Sequence, residues 1–224
     1  MIPARNEEAS LPDVLASLDR DRLPEVVVVD NGSDDATAQV AMRGGARVAR
    51  EPHRGYGAAC LRGISLLRES PPEVVVFLDA DGSDDPSDLP ALLGPIARGE
   101  ADLVIGSRVL GRSEPGALTA AQRFGNALSA MLLRALFGAR ASDLGPFRAI
   151  RWEALERLGM RDRDYGWTVE MQARAARLHL RCAEVPVRYR RRAAGKSKVA
   201  GTLQGATLAG AKILWTIGRV RFGG

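Results

Sequence analysis

The chain is poor in the residues that build metal cages and thiol chemistry. Its 224 residues include two cysteines and two histidines; Cys60 and Cys182 lie far apart, and His53 and His179 join no cluster. This argues against a structural zinc site, a disulfide scaffold and a Cys/His nucleophile pair. Aromatic residues make up 5% of the chain, and only Tyr189 interleaves a basic stretch. A nucleic-acid partner is therefore not expected, since stacking platforms are missing. The longest apolar stretches, residues 127–138 and 202–218, are broken by Arg134 and by Gln204 and Lys212. Both fall short of the roughly 20 apolar residues that span a bilayer, although either suits a helix lying flat on one. With no signal-peptide pattern ahead of the charges at Arg5, Glu7 and Glu8, the expected location is cytoplasmic, with peripheral contact at the inner face of the membrane.

Acidic residues are missing from one region only. From Val185 onward there is no Asp or Glu against nine Arg and Lys, whereas residues 1–184 carry 27 acids and 23 bases, so the net charge of +5 is concentrated at one end. A basic segment on a mildly acidic body points to an anionic partner such as phosphate, a membrane surface or nucleic acid.

What is present is a core-forming composition, 46% hydrophobic and 26% charged, sufficient for one domain. Short runs rich in Val, Ile and Leu at residues 25–30, 46–50, 73–79 and 102–106 alternate with amphipathic stretches at 9–19, 36–43, 57–69 and 86–98. Continuous apolar runs mark strands covered on both faces, and the β-α rhythm predicts an α/β fold with a doubly wound, mostly parallel sheet. The second half predicts helices at 118–137, 152–158, 168–178 and 199–217, and strands near 147–151 and 183–189. Ile2-Pro3 reads as the last step of a first strand, so the sheet is expected to be short there or the true start to lie upstream.

Polar clusters follow two of the strands, Asp30-Asn31-Gly32-Ser33-Asp34-Asp35 and Asp79-Ala80-Asp81-Gly82-Ser83-Asp84-Asp85-Pro86. In an open parallel sheet, ligands bind beyond the carboxyl ends of the strands. Asp79 and Asp81, at i and i+2 where a buried strand ends, are placed to converge on one hard cation, Mg²⁺ or Mn²⁺, which takes one or two carboxylates plus phosphate oxygens. Asp84 to Pro86 is explained by helix capping alone. Asp30 is placed to accept hydrogen bonds from a base or ribose. Arg54-Gly55-Tyr56-Gly57 allows close backbone approach at a helix N-terminus, a setting suited to anions. It is neither G-x-G-x-x-G nor a Walker A loop, which weakens dinucleotide and P-loop readings.

Ile2-Pro3-Ala4-Arg5-Asn6-Glu7, Val29-Asp30-Asn31-Gly32-Ser33-Asp34-Asp35-Ala36-Thr37, Leu78-Asp79-Ala80-Asp81 and Ile105-Gly106-Ser107-Arg108 together resemble family-2 glycosyltransferases of the GT-A fold, in particular the dolichol-phosphate mannose synthase and polyprenyl-phosphate glycosyltransferase branch. The resemblance implies one glycosyltransferase domain over residues 1–224, with 1–110 binding the nucleotide sugar and 111–224 the acceptor. It places Pro3, Ala4, Arg5, Glu7, Asp30, Gly57 and Asp79 at the nucleotide, and Asp79 and Asp81 at the metal. Ser83 stands where the mannose synthases often have Gln. Arg108, Arg123, Arg192, Ser197 and Lys198 fall at acceptor or donor phosphates.

The implied activity is inverting, Mg²⁺- or Mn²⁺-dependent transfer of a hexose from GDP-mannose or UDP-glucose to a polyprenyl or dolichyl phosphate. A phosphate acceptor is already anionic at neutral pH, whereas a hydroxyl acceptor would need a base, with Asp164 or Glu170 as candidates beside Asp81 in the catalytic group. Glu170 reads equally well as an exposed helical acid. Tyr165 and Trp167 read as packing groups. The alternatives are a transferase acting on a soluble phosphorylated or hydroxyl acceptor and, more remotely, a nucleic-acid-binding or non-catalytic nucleotide-sugar-binding protein.

Overall fold

The computed structural model describes residues 1–193 and 203–223. Strands β1 (Ile2–Ala4), β2 (Val27–Asp30), β3 (Arg47–Arg50), β4 (Val74–Phe77), β5 (Leu103–Ser113), β6 (Arg148–Arg151) and β7 (Cys182–Tyr189) alternate in the first half with helices α1 (Leu11–Ala16), α2 (Thr37–Arg43), α3 (Tyr56–Leu67) and α4 (Leu89–Ala97). Four more helices follow: α5 (Ala120–Phe137), α6 (Trp152–Leu158), α7 (Trp167–Arg177) and α8 (Leu203–Phe222). β1, β2 and β3 pair in parallel; β4, β6, β5 and β7 form the second set in that order, with β6 antiparallel to both neighbours and β5 parallel to β7. Met1 joins the two sets, its amino group donating to Val76 O at 2.7 Å while its carbonyl accepts from Leu78 N at 3.2 Å.

The unbroken apolar strands are explained by their two covered faces. Val26, Val28, Val76, Leu78 and Val104 face one core with α1 and α4 residues such as Leu11 and Leu92, whereas Val27, Val29, Val75, Phe77, Leu103 and Ile105 face another with Ile64, Leu155 and Met171. Period-2 alternation distributes each strand between both cores. A third cluster, Leu133, Val169, Ala173, Ile217 and Val220, holds α5, α7 and α8 together.

Several elements depart from the expected boundaries. The helix predicted from residue 86 begins as a 3₁₀ turn, Pro86–Asp88, capped by Asp85, before α4. β5 runs to Ser113 because its partner β7 carries the ladder past a register shift between Ser107 and Arg112. β1 is only three residues long, and an apolar trough lined by Val26, Val27, Val74 and Val75 lies beside Met1.

Candidate active site

The carboxyl ends of β1, β2 and β4 open at one edge into a cleft. β4 continues through Leu78 into Asp79 and turns at Gly82, whose φ of +74° favours glycine. The turn orients Asp81: its Oδ1 accepts from Ser83 N at 2.9 Å and from Ser83 Oγ at 2.6 Å. Asp79 also reaches the cleft, but its Oδ1 is out of contact with solvent and has no hydrogen-bond partner among the described residues. Burial, and then the Asp81 charge, push Asp79 up to a pKa of about 7. Asp84, buried behind them, is pushed well above the usual carboxylate range by burial, then by Asp79 and Asp81.

The basic end of the chain is strapped to this turn. Asp84 bridges antiparallel to Tyr189, Arg190 N donates to Ser83 O at 2.7 Å, and Ala193 N donates to Asp81 O at 3.0 Å. The strap carries Arg192 into the cleft, where its guanidinium lies 2.7 Å from Glu7 Oε1 and 2.8 Å from Asp81 Oδ2. Glu7 is held from below by Ser10 Oγ, which donates to its Oε2 at 2.9 Å.

The opposite wall is made by the entrance to α3 and the loop before α7. Asn31 Nδ2 donates to the carbonyls of Glu51 and His53 at 3.1 and 2.8 Å, and its Oδ1 accepts from Gly55 N at 2.9 Å. Gly57 N and Ala58 N then donate to the carbonyls of Asp164 and Arg163 at 3.3 and 2.8 Å. A Cβ on Gly57 would lie 2.1 Å from Asp162 O, so glycine is required for two backbone segments to meet.

Of the residues singled out in the sequence, Pro3, Ala4, Arg5, Glu7, Asp79, Asp81, Asp164 and Arg192 line the cleft. Others do not. Gly57 packs against the loop before α7, and the donors at that helix start are occupied by protein carbonyls rather than open to an anion. Asp30 accepts from Ser33 N at 3.0 Å and lies 3.7 Å from Arg50, while the neighbouring Asn31 faces the cleft. Glu170 is neither an exposed acid nor a cleft residue. It is fully buried, accepting from the backbone N–H groups of Arg161 and Asp162 at 3.0 and 2.6 Å and from Arg174 and Arg219 at 3.0 Å each. Arg108 is gripped by Asp143 through its backbone and both arms, at 2.6–2.9 Å, and stacks on Tyr189, so it enters as a neutralised pair. Arg123 is exposed on the first turn of α5. Ser197 and Lys198 lie outside the described residues. Trp167 packs in the core, whereas Tyr165, expected to do the same, lines the cleft with Arg54 and Tyr56.

Similarity to known proteins follows the same layout. An uncharacterized glycosyltransferase of Mycobacterium tuberculosis is 42% identical over 211 residues, 93% of this chain and 92% of the relative. An undecaprenyl-phosphate mannosyltransferase of Micrococcus luteus is 34% identical over 92% of this chain and 88% of its own length. Among solved structures, glucosyl-3-phosphoglycerate synthase from M. tuberculosis, in complex with Mn²⁺, uridine diphosphate and glucosyl-3-phosphoglycerate, matches with a TM-score of 0.76 and 25% identity, covering 98% of this chain and 78% of the other. Residues 1–159, which supply every strand through β6, match the family described as Glycosyl transferase family 2. The chain belongs to glycosyl transferase family 2.

Proposed function

We propose that the chain transfers a hexose, with inversion, from a nucleoside-diphosphate sugar bound in the Asp79–Asp81 cleft to a polyprenyl phosphate. The observation that carries the lipid acceptor is a two-helix face without acidic residues. Residues 115–142, which include α5, contain no Asp or Glu, and the same holds from Val185 onward, which includes α8. α5 exposes Phe124 (71%) and Met131 (51%), two turns apart, beside the exposed Arg123 and Arg134; α8 exposes Trp215 (54%) and Phe222 (80%), also two turns apart, beside the exposed Arg221. Spacing of i, i+7 places each pair on one helix face, and exposed apolar side chains on segments that carry cations and no acids complement an anionic bilayer. No helix among the described residues is long and apolar enough to cross a membrane, so this contact would be peripheral.

The cleft fits a divalent cation carried with the donor. Among the described residues Asp79 Oδ1 is a buried oxygen without a partner, and Asp81 Oδ2 pairs with an arginine from the strap. Among the described residues no set of three or more His, Cys, Asp or Glu forms a complete metal cage. Two hard carboxylates whose remaining ligands come from phosphate and water are the donor set that Mg²⁺ or Mn²⁺ accepts. Such an ion, held by Asp79 and Asp81, would neutralise charge developing on the departing diphosphate. Arg192 adds a protein cation on the same side and orients phosphate by its planar donors. Asn31 fixes the 51–55 loop against which the nucleoside lies. Asp164 holds a carboxylate at the wall, and a phosphate acceptor asks of it only positioning.

Similarity to glucosyl-3-phosphoglycerate synthase supports a second reading, a soluble phosphorylated acceptor. The two are separated by incubating the protein with Mn²⁺, labelled UDP-glucose or GDP-mannose, and either undecaprenyl phosphate or 3-phosphoglycerate. Label in the organic phase supports the lipid acceptor. Label that enters only an aqueous phosphorylated product refutes it.

A further inference from the structure

Lys212 and Arg219, one on each side of Trp215 on α8, touch the surface and the interior at once. Outward, Lys212 Nζ and the Arg219 guanidinium carbon lie 4.8 and 4.7 Å from the centroid of the exposed Trp215 ring. Inward, Lys212 Nζ is 3.3 Å and Arg219 Nη2 3.7 Å from Oδ2 of Asp162, which also accepts from Thr216 Oγ1 at 3.1 Å. Arg219 reaches Glu170 as well, at 3.0 Å.

Asp162 is 1% exposed, and its other oxygen organises the wall of the cleft by accepting from Asp164 N at 2.8 Å and Gly166 N at 3.2 Å. That turn presents Asp164 and Tyr165 to the cleft, and its carbonyls receive the first amides of α3. One buried carboxylate thus ties the donor wall to α8 on one side and to its own turn on the other.

We infer that α8 is a clasp coupling attachment to an anionic bilayer with the affinity of the cleft for its nucleotide sugar, through Asp162. This rests on the lipid-acceptor reading above. A bilayer interface that receives Trp215 holds Lys212 and Arg219 at the ring and lowers the local dielectric around their pairs with Asp162, which fixes the 162–166 turn. Donor binding, which needs that turn in place, tightens, and by linkage the donor tightens bilayer attachment by the same factor.

The test measures Mn²⁺ with UDP-glucose and, in parallel, GDP-mannose by titration calorimetry, with and without vesicles of equal parts phosphatidylglycerol and phosphatidylcholine. The wild type is expected to bind donor about fivefold more tightly on vesicles, and vesicles about fivefold more tightly with donor. Lys212→Gln is expected to sediment with vesicles yet lose this tightening, and Lys212→Arg, which keeps the charge, to restore it even where Lys212→Gln lowers the melting temperature. A wild type that sediments with unchanged donor affinity, or Lys212→Gln that tightens as the wild type does, overturns the clasp and leaves the lipid-acceptor reading standing. A wild type that ignores anionic vesicles overturns both, while donor binding in buffer alone still supports the transferase cleft.

Discussion

Replacing Asp79 with Asn should make the protein more stable and less able to hold a metal, and the balance depends on pH. In the fold Asp79 rises from 3.8 to about 7, because burial and the Asp81 charge disfavour its ionised form. A carboxyl group raised in this way binds more protons when folded than unfolded, so its contribution to stability falls as pH climbs from about 4 to about 7 and stays low above that. At 1.36 kcal/mol per unit, three units amount to about 4 kcal/mol as an upper figure. Asp79 retains some contact with solvent in the cleft, which brings the expected gain for Asp79→Asn nearer about 2 kcal/mol near pH 8.5 and about 1 kcal/mol near pH 5.5. For a chain of this size that is roughly 5 °C in Tm at the higher pH. Thermal denaturation in chelator at both pH values, with Mn²⁺ added in a second series, checks the expectation. Mn²⁺ should raise the Tm of the wild type and not of the variant. An Asp79→Asn protein no more stable than wild type near pH 8.5, or one still stabilised by Mn²⁺, would refute the assignment of a strained, metal-ready carboxylate.

Three further outcomes are expected. Arg192→Gln removes a charge that holds Asp79 down, so the pH at which Mn²⁺ binding reaches half should move upward, as followed by electron paramagnetic resonance; an unmoved midpoint counts against Arg192 acting on this pair. Gly57→Ala places its Cβ 2.1 Å from Asp162 O and should weaken donor binding about tenfold with a loss of roughly 2 kcal/mol, whereas Gly125→Ala, with nothing within 4 Å, should be neutral or stabilising by up to about 1 kcal/mol. Arg148 is fully buried and donates to the carbonyls of Leu144, Gly145 and Thr168, and desolvation lowers it to about 10. Arg148→Met strands those carbonyls and should cost about 3 kcal/mol in urea denaturation; a variant as stable as wild type would show that desolvating the guanidinium outweighs its hydrogen bonds.

The expected α/β fold is present, and the residues that announced the site share a simple property: they sit on the chain within a few positions of a strand end. Val74 to Phe77 declare a buried strand by composition, and Asp79 and Asp81 follow it directly, so local order alone delivers them to the sheet edge. Pro3, Ala4, Arg5 and Glu7 reach the same edge from β1. Tyr165 and Asn31 were less legible, because a lone aromatic or amide looks the same whether it faces a core, a loop or a cleft.

Glu170 and Arg108 show where sequence reasoning ends. Each is a charged residue in a suggestive motif, yet Glu170 is held by Arg174 and Arg219, and Arg108 by Asp143, partners up to 49 residues away. The Glu170–Arg174 pair is i, i+4 and readable on one helix, but nothing in a linear pattern states that Arg219 or Asp143 will arrive beside these groups, and such neighbours decide between an open carboxylate and a sealed ion pair.

The sequence by itself determined the layered sheet, the edge at which the acids gather and the basic character of the final forty residues, because strand burial, period and charge are properties of consecutive residues. The tertiary structure alone decided that Arg192 would lie against Asp81 and Glu7, that Asp162 would tie α8 to the cleft wall, and that Gly57 would meet the backbone of the loop before α7. These depend on distances between segments remote in sequence, set by how the helices close over the sheet.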